Sequence, residues 1–427
     1  MELISVLDLL SIVQGIMKLI KPEIVEHGKE VAYISYKIGE KLGYSKKQLY
    51  YLIITGEIHD LGAYKTENID CIDKFRYKNS NKHSYYGYAL LKHSKGLSHC
   101  ASTILYHHCS YKNFNEKIIK DIPVPDDAFL ISLGDKVSLI CNNEDYSKEA
   151  IINKIKCLNK AHFNPIHYEI LMDLISNEKL IDNIISGEYK NEINKIVKNY
   201  YIKVEQATEY LTLIPLGVDL YSYETALHTI SVAFLAKKVS KSLGLKDEDV
   251  MKIEISSYLH DLGKVGIPKY ILEKEGPLTF EEFEFMKSHV SFTRQLLEEV
   301  NIDKEIVSMA CNHHEKLDGS GYPRGIDSSE LYIGDRIISV CDIFCALTEK
   351  RHYKDSFSKE KIYNIISKMA DDGLIDKEVC NYVMSDYDNL NLGLNNLINE
   401  FESFINSIKK EYNSILKYGE ENNIKIC

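Results

Sequence analysis

Two His-Asp pairs, His59-Asp60 and His260-Asp261, are the residues of this chain whose types and spacing best suit chemistry. Each pair is flanked by further histidines and carboxylates at matching intervals. The first set consists of Glu23, His27, His59, Asp60, His83, His107, His108 and Asp135. The second set consists of Glu224, His228, His260, Asp261, His289, His313, His314 and Asp342. Equivalent members lie 201 to 207 residues apart, so only short insertions separate the copies. Because imidazole is costly to bury without a partner and is the commonest protein ligand for transition metals, the repeat predicts two related metal sites.

The number of ligands in each copy predicts more than one ion. Glu224 and His228 are four residues apart, so their side chains share one face of a helix. Asp261 offers two oxygens and can bridge two ions, which an imidazole cannot do. Eight nitrogen and oxygen ligands exceed what one ion accepts, so two or three ions are expected, and the ligand types suit iron, manganese, zinc, cobalt or nickel rather than calcium. Clustered ions of this kind activate a water and neutralise phosphate oxygens, which indicates metal-assisted phosphoester hydrolysis.

Helices are the elements predicted to hold these side chains. Apolar residues recur at helical spacing in both copies, for example at Val31, Ile34 and Ile38 and again at Ile230 and Ala233. No run of residues alternates as a half-buried strand does, and 8 Pro and 22 Gly favour long helices over many turns. We therefore predict an all-α fold with two tandem helical domains joined by a helical connector. The predicted segments are a first domain at 1–150, a connector at 151–205, a second domain at 206–385 and an amphipathic C-terminal helix at 386–427.

The C-terminal helix has apolar residues close to a heptad spacing. These residues are Leu397, Phe401, Phe404, Ile408, Ile415 and Leu416. Such a stripe either forms the seam of a homodimer or packs against the helix's own domain. Fewer than four heptads are present, which favours packing against the helix's own domain.

Composition excludes several classes of partner. The net charge of −11 leaves no broad basic surface for polymeric nucleic acid or for an anionic membrane. The first residues lack the basic start and cleavage site of a signal peptide, and no apolar run approaches the ~18 residues that span a bilayer. The ten cysteines form no Cys-x-x-Cys pair, so reduced thiols are expected. We therefore expect a cytoplasmic protein without membrane insertion.

Residues 257–355 resemble an HD-GYP domain, a branch of the HD phosphohydrolase superfamily. The matching pieces are His260-Asp261-Leu262-Gly263-Lys264, His289, His313-His314-Glu315, Asp318-Gly319-Ser320-Gly321-Tyr322-Pro323, Asp342-Ile343-Phe344-Cys345-Ala346-Leu347-Thr348 and Arg351-His352-Tyr353-Lys354. The resemblance implies an all-helical fold and hydrolysis of cyclic di-GMP to pGpG or GMP. It also implies iron or manganese, with Glu224 and His228 holding an additional ion.

The resemblance assigns further roles in the second copy. Asp261 and Lys264 are expected to be catalytic, with Lys264 donating to a phosphate oxygen. Residues expected to bind the substrate are Arg351, Lys354, Gly321, Tyr322 and Pro323. Tyr322 is expected either to contact the nucleotide or to fix its own loop.

The first copy resembles a plain HD domain without the Gly-Tyr-Pro motif. It keeps every ligand position, yet Ala63 stands where the second copy has Lys264. Glu144 and Ser147 stand where it has Arg351 and Lys354. We therefore expect the first copy to bind metal and to contribute little hydrolysis of cyclic di-GMP.

Two alternatives to cyclic di-GMP hydrolysis stay open. One keeps the enzyme and changes the substrate to another cyclic dinucleotide such as cyclic GMP-AMP. The other is a metal-loaded nucleotide sensor with little turnover.

Overall fold

The structure is a computed structural model that describes residues 3–5, 9–11, 14–15, 22–65, 81–94, 96–143, 146–198, 200–203, 223–298, 302–349, 356–422 and 424. Within these residues, no helix combines the length and the apolar character that a bilayer crossing requires.

Helices dominate the described chain, which confirms the all-α prediction. The helices are α1 Pro22–Lys41, α2 Lys46–Ile58, α3 Asn81–Lys92, α4 Ser98–Tyr106, α5 Asp127–Cys141, α6 Lys148–Lys156, α7 Pro165–Asn177, α8 Leu180–Ser186, α9 Tyr189–Val197, α10 Tyr223–Ser242, α11 Asp247–Leu259, α12 Lys269–Leu272, α13 Phe280–Glu298, α14 Lys304–Cys311, α15 Ile333–Thr348, α16 Lys359–Asp371, α17 Lys377–Ser385 and α18 Tyr387–Glu421. No strand is predicted from the sequence, but β1 Leu3–Ser5 pairs antiparallel with β2 Tyr201–Lys203.

The chain divides into two compact units. The C-terminal unit contains 1–20 and 201–403, and the N-terminal unit contains 21–200 and 404–427. The two units use the same helices in the same order around their His-Asp pairs. Helices α1, α2, α3, α4 and α5 of the N-terminal unit correspond to α10, α11, α13, α14 and α15 of the C-terminal unit.

In the N-terminal unit, helix α1 is the central element because its apolar face is fully buried, with Val31, Ile34 and Ile38 at 0% exposure. Helix α2 begins with a reciprocal capping box between Ser45 and Gln48, which satisfies backbone donors that a helix start leaves free. The predicted connector is helical, and its helices α6 to α9 belong to this unit.

In the C-terminal unit, helices α10, α15, α16, α17 and the first turns of α18 share one apolar core. Phe344 on α15 is its largest fully buried side chain, and the side chains of Val239 and Ile366 are also at 0% exposure. Phe401 of the heptad stripe is buried in this unit. Ile408 and Ile415 are also buried, but they lie in the part of α18 that belongs to the N-terminal unit. The expectation that the whole stripe packs on the C-terminal domain is therefore wrong for its second half.

Candidate metal centre

The ends of two helices bring four neighbouring ligands into the C-terminal site. Helix α11 ends at Leu259, and Asp261 leaves helical geometry with φ −101° and ψ 9°. Helix α14 ends before Asn312, which has φ −107° and ψ 2°. Adjacent side chains of a continuous helix diverge, but at these breaks both members of each pair, His260-Asp261 and His313-His314, can reach one site.

The ligand atoms of the second set converge at distances that suit metal coordination. His228 Nε2 lies 2.9 Å from Asp342 Oδ1. His260 Nε2 lies 3.3 Å from Asp261 Oδ2, and His289 Nε2 lies 3.5 Å from Asp261 Oδ1. For metal–ligand bonds of about 2.1 Å, neighbouring ligands lie about 3.0 Å apart on an octahedral ion and about 3.4 Å apart on a tetrahedral ion. The observed separations of 2.9, 3.3 and 3.5 Å lie within about 0.1 Å of this range.

Hydrogen bonds to backbone carbonyls fix which ring nitrogens face the site. His260, His289 and His313 each direct Nδ1 to the carbonyl three residues earlier, at 2.7, 2.6 and 2.8 Å. A carbonyl only accepts, so Nδ1 carries the proton and Nε2 of a neutral ring carries a lone pair. The Nε2 atoms of His289 and His313 nevertheless lie 3.4 Å apart. Two lone pairs repel at this distance unless a cation lies between them.

Buried polar atoms without partners point to the same conclusion. Among the described residues, His260 Nε2 and Asp261 Oδ1 are buried and make no hydrogen bond. Leaving such an atom unsatisfied costs about 1–3 kcal/mol. Metal ions would supply the missing partners, so the donor set fits the ions that the sequence predicts.

Asp261 joins two ligand groups. The groups are His228, His260 and Asp261, and His289, His313 and His314, with the ligand atoms of each within 4.8 Å of one another. Oδ2 of Asp261 faces the first group and Oδ1 faces His289 of the second. This arrangement suits metal binding on both sides of Asp261.

Burial keeps the histidines of the second group neutral. Burial lowers the pKa of His289 to about 3. Burial and the neighbouring His314 hold the pKa of His313 well below its usual range. Neutral imidazole is the metal-binding form, so these rings are ready to bind at neutral pH.

His228 has a partner that the sequence analysis missed. Its Nδ1 donates to Oε2 of buried Glu349 at 3.0 Å, while its Nε2 faces Asp342. Burial would lower the pKa of His228, but the carboxylates of Glu349 and Asp342 outweigh it and raise the pKa to about 10. Glu349 lies seven residues after Asp342, two helical turns along the same face, and this spacing was the available signal.

Glu224 lies apart from the two ligand groups. It occupies the first turn of α10 and, with Glu349 and Ser231, lines a cavity of about 500 Å³ within the C-terminal unit. Neither group of the described ligand atoms includes it.

Lys264 lies beside the bridging carboxylate. Its Nζ is 2.5 Å from Asp261 Oδ2, and its side chain is 21% exposed. Burial would raise the pKa of Asp261, but His260 and Lys264 outweigh it and hold the pKa well below its usual range. Lys264 therefore lies close to the predicted metal ligands and is partly exposed to solvent.

The loop with the Gly-Tyr-Pro motif reaches the metal ligands. The ring of Tyr322 packs 4.8 Å from that of His314, and its backbone N–H donates to the His314 carbonyl. Glu315 holds the loop by accepting from the backbone N–H of Arg324 at 2.7 Å. A Cβ on Gly321 would lie 2.4 Å from Cα of Glu315, so only glycine fits there. Pro323 is the next residue after Tyr322. Arg351 and Lys354 lie outside the described residues.

The first set of ligands repeats this geometry in the N-terminal unit. Asp60 again lies between two ligand groups, with Oδ1 3.2 Å from His83 Nε2 and Oδ2 3.4 Å from His59 Nε2. The two groups are Asp60, His83, His107 and His108, and His27, His59 and Asp135. The side chain of Glu23 lies outside the described part of the chain. All other predicted ligands of this copy converge.

The two copies differ in access to solvent. The His314 side chain is 27% exposed, whereas its equivalent His108 is 4% exposed. Asp342 and its equivalent Asp135 show the same contrast, at 12% and 1%. The ligands of the C-terminal site are therefore more accessible to a substrate from solvent than those of the N-terminal site.

The cations around the first site also differ. Ala63 is fully buried at the position of Lys264. Ser147 caps helix α6 by accepting from the backbone N–H of Ala150, and Glu144 lies outside the described residues. The lysine near this site is Lys136, whose Nζ is 3.2 Å from Asp135 Oδ2. Sequence comparison of equivalent positions missed it because Ile343 follows Asp342 in the second copy.

Comparisons with known proteins agree with this architecture. HD-domain family models match residues 24–140 and 205–379, which together exceed half of the chain. A 3'3'-cGAMP-specific phosphodiesterase 1 of Vibrio cholerae is 28% identical over 84% of this chain and 86% of its own length. A cyclic di-GMP phosphodiesterase of Thermotoga maritima is 32% identical over 48% of this chain and 59% of its own length.

A crystal structure of a cyclic GMP-AMP specific phosphodiesterase of V. cholerae has the same fold. Its TM-score is 0.52 at 19% identity, and the alignment covers 93% of this chain and 99% of that one. The two matched segments each contain one of the His-Asp sites described above. The chain therefore belongs to the HD family of metal-dependent phosphohydrolases and carries two HD domains in tandem.

Proposed function

We propose that the chain is a cyclic dinucleotide phosphodiesterase whose C-terminal HD domain hydrolyses cyclic di-GMP to pGpG or GMP. The observation that carries the proposal is a group of buried atoms around Asp261 that lack hydrogen-bond donors. Nε2 of His289 and Nε2 of His313 face each other, and His260 Nε2 and Asp261 Oδ1 make no hydrogen bond. Both named relatives cleave cyclic dinucleotides according to their descriptions.

The proposed metal content is two or three divalent ions, of iron or manganese, in the C-terminal site. Asp261 would bridge two of them, with His260, His289, His313, His314 and Asp342 as the remaining ligands of the pair. Glu224 and His228 would hold the additional ion. When bound, such ions lower the pKa of a coordinated water and offset phosphate charge.

The protein's own groups would position the substrate. Lys264 projects beside Asp261 and can donate to a phosphate oxygen. Arg351 and Lys354 are proposed to grip the substrate's phosphate, for which the planar fork of arginine is suited. Tyr322 lies against His314 at the solvent side and can pack on a nucleotide base. Gly321 and Pro323 shape this loop.

The N-terminal copy is proposed to bind metal and to contribute little hydrolysis. Its ligands are His27, His59, Asp60, His83, His107, His108 and Asp135, with Glu23 proposed from the sequence alone. Its site is closed at His108, and Ala63 removes the lysine that would meet a phosphate. Hydrolysis requires a held phosphate as well as an activated water.

Cyclic GMP-AMP is the second candidate substrate. The relative that is similar across both HD domains is specific for 3'3'-cGAMP, whereas the cyclic di-GMP phosphodiesterase matches about half of the chain. A metal-loaded sensor is the third candidate, and the open site with Lys264 favours turnover over it. Cytoplasmic location and homodimerisation stay predictions.

The test is a product assay with metal-reconstituted full-length protein. It is incubated separately with cyclic di-GMP, 3'3'-cGAMP and cyclic di-AMP, and the products are resolved by chromatography. We expect linear dinucleotide or mononucleotide from one of the first two substrates. The matched controls are the double variants His260→Ala with Asp261→Ala, and His59→Ala with Asp60→Ala. Tight binding of a cyclic dinucleotide without products would establish the sensor alternative.

Metal analysis on the same samples separates the sites. No more than one ion per chain in active, fully loaded protein would contradict the multinuclear centre.

A further inference from the structure

Each HD domain has a buried carboxylate on the Nδ1 side of an equivalent histidine, His27 or His228. In the N-terminal unit this carboxylate lies on the same helix as the histidine, and in the C-terminal unit it comes from the end of a different helix, α15. In the C-terminal unit the carboxylate is Glu349, which accepts directly from His228 Nδ1 at 3.0 Å. In the N-terminal unit, His27 Nδ1 lies 2.8 Å from Ser138 Oγ. Ser138 donates in turn to Oε2 of Glu30, whose residue exposure is 5%.

The exchange is visible position by position. Glu30 lies three residues after His27, and the equivalent position after His228 is Ser231. Glu349 lies seven residues after Asp342, and the equivalent position after Asp135 is Asn142.

The relaying hydroxyl has changed in step. Ser138 lies three residues after Asp135, and the equivalent of Ser138 is Cys345. Asn142 supports the N-terminal arrangement because its Nδ2 donates to Glu30 at 2.9 Å. The first domain thus has an acid, a hydroxyl and an amide where the second has a hydroxyl, a thiol and an acid.

We infer that Glu349 and Glu30 are equivalent positioning residues that orient His228 and His27 for metal binding. A carboxylate that accepts from Nδ1–H fixes the ring orientation and presents Nε2 as the ligand atom. In both copies that Nε2 faces the last aspartate of the ligand set, at 2.9 Å from Asp342 Oδ1 and 3.3 Å from Asp135 Oδ1. One carboxylate per site is enough, since a second would bury an unpaired charge.

The surroundings of Ser231 show room for the transposed acid. Ser231 is 1% exposed, its Oγ has no hydrogen-bond partner among the described residues, and it lines the same 500 Å³ cavity as Glu349. A glutamate at this position can therefore be accommodated next to the histidine.

The inference rests on the proposed metal site, and the test is designed to separate the two. The parent is the full chain with His59→Ala and Asp60→Ala, so that Mn²⁺ binding reports the C-terminal site. Its Mn²⁺ affinity is measured by chelator competition. A parent that binds no Mn²⁺ would overturn the proposed metal site and this inference together.

Variants in this parent then test Glu349. Glu349→Ala should weaken Mn²⁺ binding by about 10–100-fold, the range for removing a partner of a metal-bound histidine. Glu349→Gln keeps the volume and serves if the alanine variant does not fold. Glu254→Gln is the control, because Glu254 is equally buried and pairs with Lys237 away from the ligands. Melting temperatures show whether each variant is folded.

The decisive variant transposes the acid. Glu349→Asn with Ser231→Glu and Cys345→Ser rebuilds the N-terminal arrangement, and it should recover most of the affinity that Glu349→Ala loses. A folded Glu349→Ala or Glu349→Gln protein with unchanged Mn²⁺ affinity would overturn the positioning role. A transposed variant that folds and binds as weakly as Glu349→Ala would overturn the equivalence of the two acids.

Discussion

Replacing Gly263 with alanine should dismantle the C-terminal metal centre by pushing the His-Asp turn away from helix α13. A Cβ at this position would lie 1.9 Å from the backbone oxygen of His289 and 2.6 Å from the backbone nitrogen of Thr293. A carbon–oxygen contact needs about 3.3 Å, so the turn and the helix must separate by about 1.4 Å. The same movement breaks the bond from Gly263 N–H to Thr293 Oγ1.

This movement would displace metal ligands, because Asp261 lies on one side of the contact and His289 lies on the other. Asp261 precedes Gly263 by two residues, and its Oδ1 lies 3.5 Å from His289 Nε2. A shift of about 1 Å in a catalytic group can cost about 10²-fold in rate. We expect at least that loss in turnover, with metal content reduced. Overpacking of this kind costs about 1–3 kcal/mol, and about 2 kcal/mol lowers the Tm of a unit of this size by about 4–8 °C.

A matched variant in the first copy separates stability from catalysis. Gly62 makes the equivalent approach, since its Cβ would lie 2.1 Å from the His83 oxygen. Gly62→Ala should lower the Tm by a similar amount, reduce the metal content of the N-terminal site and spare most hydrolysis. The measurements are elemental analysis, product formation and calorimetry on both variants. If Gly263→Ala kept its metal and its turnover, the close approach would not hold the centre together.

Three further predictions concern ligands and charge. Asp261→Ala should abolish hydrolysis with loss of metal, whereas Lys264→Ala should keep metal near normal and lower turnover about 10²–10³-fold, the scale for one electrostatic donor; equal metal loss in both would contradict this. The double variant His59→Ala and Asp60→Ala should spare most activity, and a folded but inactive protein would show that the first domain is required. In the metal-free protein His228 has a pKa of about 10, so it is protonated at pH 7.5. Metal binding at Nε2 must therefore release that proton, and affinity should rise with pH up to about 10. Calorimetry in buffers of different ionisation enthalpy measures the release, and a metal affinity independent of pH between 7 and 9 would refute it.

The ligand register was predictable because its residue types have few other reasons to be buried. Histidines such as His260 and His289 must lose water to enter a core, and only a shared partner compensates for that loss. Two copies in the same order made chance spacing untenable. The helices followed from apolar periodicity, but that periodicity did not show that the second half of α18 belongs to the N-terminal unit.

Glu349 was not predictable from the pattern of metal ligands, because it contacts the ligand His228 and is not itself one of the predicted ligands. Its position becomes meaningful only when α10 and α15 lie side by side, which is a tertiary fact. Lys136 was not predicted for a related reason: a lysine was expected at the position equivalent to Lys264, which is Ala63. The β1–β2 pair escaped because strands of three residues are too short for alternation to register.

The two domains have diverged around their ligands and not in them. Both keep a bridging aspartate and the same helix breaks, because altering either would leave buried polar atoms unsatisfied. The two copies differ in two features. The side chain of His314 is more exposed than that of its equivalent His108, and Lys264 of the second copy corresponds to Ala63 of the first. We propose that these features change access and phosphate contact without removing the metal. On this proposal the first domain would lose turnover and keep its ions, because the residues proposed to hold metal and those proposed to hold substrate are separate.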